Sequence, residues 1–135
     1  MKSRLLLMLA GGLLVAAATV PVQAHHSFAA EFDINQPITL RGTLTKMEWV
    51  NPHGWIYIDV KDSDGKVENW AIEAGGPTAL LRRGLRKTDF PVGIEVVVEG
   101  FRAKSGAPKA NGRSVTLADG RNFFLGAADA PGEPQ

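Results

Sequence analysis

The 135-residue chain contains no cysteine. That removes disulfide staples, thiolate metal sites and membrane attachment through a lipidated cysteine. Charge excess is absent too. Fifteen Lys+Arg against 14 Asp+Glu leave a formal net charge of +1, which is no footprint for nucleic acid. The longest apolar run, Leu5 to Val20, is about 16 residues, short of the roughly 20 that a bilayer span requires. Histidine is scarce: three in the whole chain, at positions 25, 26 and 53. No hydrolytic constellation is visible, because Ser27 beside His26 does not by itself aim a hydroxyl at an imidazole. An enzyme is therefore the less favoured reading.

The chain opens as an export signal. Lys2 and Arg4 form a positive start, Leu5 to Val20 is apolar or small, and Pro21-Val22-Gln23-Ala24 supplies small or modest residues before a cleavage point. Residues 1–24 are read as a signal peptide and the destination as periplasm or the secreted fraction. The mature chain then starts at His25 and carries no transmembrane segment. Cleavage removes Lys2 and Arg4, so 13 Lys+Arg face 14 Asp+Glu over 111 residues. A chain of that length supports one domain with a modest core.

Residues 25–37 show no periodic pattern and are read as a lead-in, 38–125 as one β-domain, and 126–135 as a disordered tail. Ile38, Leu40 and Leu44 alternate on one face, after which the pattern changes phase to Met47 and Trp49. A long first strand that bends near Gly42 follows from this. Asn51-Pro52-His53-Gly54 is a turn by composition. Trp55 to Val60 is a second strand, with Ile56, Ile58 and Val60 on one face and Trp55, Tyr57 and Asp59 on the other. Asp64-Gly65 marks a hairpin leading to a third strand ending near Glu73. Gly75-Gly76-Pro77 breaks it, and Thr78 is the expected cap of a short helix over 79–83. A fourth strand spans 94–101, a Gly/Ala/Lys-rich loop 105–112, and a fifth strand lies around 113–117. The fold class is all-β with one short helix, and the architecture is a small OB-like five-stranded curled barrel. An SH3-like barrel and an open sandwich are the alternatives.

Several segments carry a resemblance. They are His25-His26-Ser27-Phe28-Ala29-Ala30-Glu31-Phe32-Asp33, Gly42, Trp49-Val50-Asn51-Pro52-His53 and Gly75-Gly76-Pro77. With these, the chain resembles a family of small exported bacterial proteins of unknown function, DUF6152. The resemblance implies an export signal, the HHSF opening and the NPH turn over nearly the whole mature chain. It implies no activity and no partner.

The histidines suggest metal. A mature N-terminal His25 offers an α-amine and an imidazole, and His53 offers a second ring, a donor set suited to Cu(II). His26 is a substitute or additional ligand, and Glu31 and Asp33 are candidate oxygen donors or orienting partners. Zn(II) ranks below Cu(II), since an amine ligand without cysteine favours copper. The leading expectation is an exported domain that binds Cu(II) through His25, His26 and His53. The alternative is a metal-free module that engages an envelope protein or small ligand through the outward Trp55 and Tyr57, with no nucleic-acid partner. Against that alternative stands the prospect that the lead-in covers this face. Glu48 and Glu73 are expected to approach each other across the sheet, and nothing in the sequence raises the pKa of either.

Overall fold

A computed structural model describes residues 28–126. The segment read as an export signal, His25 and His26, and residues 127–135 lie outside the described residues. Phe28–Glu31 forms a single helical turn, α1, which runs directly into β1, Phe32–Glu48. β2 is His53–Lys61, β3 Val67–Gly75, α2 Pro77–Arg82, β4 Glu95–Ala103, β5 Lys109–Leu117 and β6 Asn122–Phe124. A short 3-10 turn, Lys87–Asp89, precedes β4.

β1 is long because it serves two partners. Its first half pairs with β4 through Pro37–Thr43 and its second with β2 through Gly42–Glu48. The two ladders overlap at Gly42 and Thr43, and a Cβ on Gly42 would lie 2.5 Å from the Asp59 carbonyl oxygen. Only glycine permits that approach. The phase change legible in the sequence is a β-bulge between Leu44 and Lys46. It turns the following residues to the other face. The odd residue, Thr45, donates its hydroxyl to the Tyr57 carbonyl at 3.1 Å.

The sheet order is β3-β2-β1-β4-β5-β6, and β3 also pairs with β5 in parallel. Five strands thus form a ring, with β6 attached outside it. The expected five-stranded OB-like barrel with one short helix is corrected by these observations. Among the described residues there are six strands and two short α-helices, and the ring is not a barrel: β3 and β5 meet over only Ala71–Glu73 and Lys109–Asn111. Small residues make that meeting physical. Ala110 is fully buried, and a Cβ on Gly112 would lie 2.9 Å from both Ile72 Cγ2 and Leu125 Cδ1.

Leu44, Ile56, Ile58, Ile72, Val96, Val98 and Val115 form the heart of the core, fully buried or nearly so. Leu80 of α2 joins them, together with Leu85 and Phe90. The helix starts two residues earlier than expected, with Pro77 in its first turn and no side-chain cap from Thr78. Leu81 points outward. Among the described residues, no helix is long and apolar enough to cross a membrane.

Candidate functional site

The face of β2 opposite the core carries His53, Trp55 and Tyr57, as strand alternation requires. The registers of four strands set their neighbours. Glu48 of β1, Trp55 of β2, Glu73 of β3 and Asn111 of β5 stand in one row across the sheet. Lys46, Tyr57, Ala71 and Lys109 make the adjacent row. One row therefore sets an aromatic ring between two carboxylates. The next has a lysine at each end.

Ala71 is the small member, and past it the Lys109 ammonium reaches diagonally to lie 4.9 Å from the centroid of Trp55. The same ammonium is ion-paired with Glu31 of α1 and lies 5.9 Å from the Phe32 ring. Lys46 repeats the arrangement, paired with Glu48 and 5.4 Å from the Tyr57 ring. The Tyr57 hydroxyl donates to the other oxygen of Glu48 at 3.3 Å. Burial and the Glu48 carboxylate push the Tyr57 phenol up. Pairing with Lys46 holds the Glu48 carboxyl down.

A third row pairs His53 with Gly75, which has no side chain to occupy the imidazole. His53 leans instead onto Glu73, its Nδ1 hydrogen-bonded to that carboxyl. Glu73 is 8% exposed. Burial pushes its pKa up, His53 pulls it down, Glu31 raises it and Lys109 lowers it. Thus Glu73, whose pKa nothing in the sequence raises, is the buried carboxyl of the site. Glu48 and Glu73 do not meet; they flank Trp55 from opposite sides.

From Phe28 onward the lead-in is part of the structure. Phe28 packs on Phe32 with ring centroids 5.8 Å apart, and edge-on against Phe101 at 5.5 Å. Lys104 donates its backbone N–H to the Glu31 carbonyl at 2.9 Å and its ammonium to the Ala29 carbonyl at 2.5 Å. These contacts bring Glu31 beside Lys109. The NPH and GGP segments also touch, since a Cβ on Gly76 would lie 2.7 Å from the Pro52 carbonyl oxygen. Three segments distant in sequence thus converge on one end of the β2–β3 face.

The expected copper function is corrected here. His53 is engaged by Glu73 through Nδ1. Among the described residues there is no group of three or more His, Cys, Asp or Glu side chains placed to hold a metal ion. His25 and His26 lie outside those residues. Asp33 is turned to local use, accepting from the Asn35 backbone N–H at 2.9 Å and the Gln36 amide at 3.2 Å. Sequence reasoning found Trp55 and Tyr57 but missed Lys109, which it placed in a loop. The usable signal was the small Lys-Ala-Asn-Gly run, which suits close strand approach better than it suits a strand's usual composition.

The model of a family of unknown function, DUF6152, matches residues 12–113. The chain belongs to that family. The DUF6152 match takes in α1, the first four strands and every side chain of the two rows, and it ends inside β5. No curated protein matches the chain.

Proposed function

We propose that this DUF6152 domain is an exported, metal-free binding module that engages an envelope protein or small ligand through the Trp55–Tyr57 face. The observation that carries the reading is the pair of cross-strand rows. Trp55 and Tyr57 are partly exposed and are set among groups of both signs on a closed sheet. Aromatic side chains with fixed charges beside them give large contact area and orientation at low entropic cost. The α1 turn covers one margin and leaves the aromatic rows partly open.

The test replaces Tyr57 by a photo-crosslinking amino acid in cells that export the protein. Val92, exposed on the turn before β4, serves as the control position. A discrete adduct from position 57 alone, abolished by Trp55→Ala, supports the reading. Adducts of equal yield from both positions, or from neither, overturn it.

A further inference from the structure

Two lysines of this domain are seated alike. In each, the ammonium lies against an aromatic ring and pairs with a carboxylate: Lys109 with Trp55 and Glu31, Lys46 with Tyr57 and Glu48. A ring face attracts a cation through its quadrupole, while the lysine stem covers apolar surface and the carboxylate fixes the head. The face therefore displays, twice, the geometry that recognises an alkyl ammonium group. It is more than a group of acids, because each carboxylate–ammonium pair has a ring beside it.

Charge adds direction. Glu31, Glu48 and Glu73 are three carboxylates, and Lys46 and Lys109 are two ammoniums. Counted without His53, the carboxylates exceed the ammoniums by one, so a cation from outside would balance the face. Lys109 is paired with Glu31 and stands one register step from Glu73 across the β3–β5 pairing, where its charge lowers the Glu73 pKa. Glu31 is the more open partner, its side chain 37% exposed against 11% for Glu73.

We infer that the Trp55 face recognises a lysine side chain of a partner polypeptide, whose ammonium pairs with Glu31 over the Trp55 ring while Lys109 turns its charge toward Glu73. The inference rests on the binding-module reading and names the group that the site takes. Lysine is chosen because two lysines already sit on this face in that manner.

The experiment titrates the mature protein with Nα-acetyl-lysine methylamide and follows the tryptophan indole resonances by NMR. The expected result is a saturable shift of the Trp55 indole in the millimolar range, absent with the Nε-acetylated probe. Glu31→Gln should weaken binding at least fivefold. Lys109→Met frees Glu31 and the ring of their resident ammonium and should tighten binding about tenfold, a gain that unfolding cannot imitate. Equal shifts from the Nε-acetylated probe, or no tightening in Lys109→Met, overturn the inference. The two readings fail separately. A crosslink from position 57 that survives carbamylation of the partner's lysines removes the lysine assignment and leaves the binding face. Loss of both the crosslink and the probe shift removes both.

Discussion

Trp55 stands directly opposite Glu48 on one side and Glu73 on the other, yet its two neighbours live in different surroundings. Glu48 is held ionised by Lys46, whereas burial pushes the Glu73 carboxyl up. The asymmetry follows from position in the ring. β3 is enclosed between β2 and β5 where it carries Glu73, while Glu48 ends its strand, beside a turn and solvent.

That asymmetry sets a pH dependence. A carboxyl whose folded pKa is raised holds its proton to higher pH in the folded than in the unfolded chain. Its contribution to stability is complete below the unfolded value, about 4.3, and is lost as pH rises through the raised value. Glu73→Gln removes this titration and flattens the stability curve above about pH 4.3. Urea midpoints of both proteins at intervals between pH 4 and 7 check it. Parallel curves would show that Glu73 has no raised folded-state value.

Much of the fold is written in patterns that depend on one strand alone. The Ile56/Ile58 alternation, the Leu44–Met47 phase change and the Asp64-Gly65 turn are such patterns, and the structure places each where they indicate. The rest depends on a second strand. Lys109 reaches Trp55 only because β5 pairs with β3 past Ala71, and a run of Lys-Ala-Asn-Gly gives no alternation to announce that pairing. Glu73 is buried for the same reason. His53 misled because imidazole chemistry is shared between metal ligation and carboxylate pairing, and the neighbour that decides the matter sits 20 positions away.

α1 has no buried residue, so its attachment rests on Phe28, the Lys104 bonds and the Glu31–Lys109 pair. Exposed ion pairs contribute little, and a T-shaped aromatic pair adds about 0.5–1.5 kcal/mol beyond its area. Phe28→Ala should therefore lower stability by about 1 kcal/mol while releasing residues 28–31 to protease. The sheet amides should keep their exchange protection. Limited proteolysis with mass mapping reads the first effect and hydrogen exchange the second. Unchanged cleavage near residue 28 would remove Phe28 as the anchor.

Gly100 faces Gly112 across the β4–β5 pair, beside a register shift. A Cβ on Gly100 would lie 2.2 Å from the Asn111 carbonyl oxygen, a backbone atom that cannot swing away. Gly100→Ala should destabilise on the overpacking scale of about 1–3 kcal/mol or more. Because Asn111 also pairs with Glu73, the strain should reach the ring closure and raise amide exchange at 71–73 and 109–111. Gly106→Ala is a different case. Its positive φ of 78° is the source of strain there, and nothing lies within 4 Å of its Cβ position. Exchange at the β3–β5 pairing should stay as in the parent. A Gly100→Ala protein with wild-type denaturant midpoint would mean that the strands part without cost.

The family match stops at Arg113, which would suggest that the end of the chain is dispensable. The structure argues otherwise through Leu125. Its side chain is fully buried, and its backbone spans two strands. The N–H donates to the Arg113 carbonyl at 2.8 Å, and the carbonyl accepts from the Gly75 N–H at 2.6 Å. Arg83 reinforces the position, donating to the Gly126 carbonyl at 2.5 Å with its guanidinium 4.7 Å from the Phe124 ring centroid. The residue thus ties β5 to the end of β3, one step from the short parallel pairing that completes the ring. Leu125→Ala should cost about 2–5 kcal/mol, the range for emptying a buried leucine site. Leu81→Ala, on the exposed side of α2, should stay within about 0.5 kcal/mol. Denaturant midpoints of the two variants decide the matter: equal, small losses would show that the ring holds without its C-terminal tie.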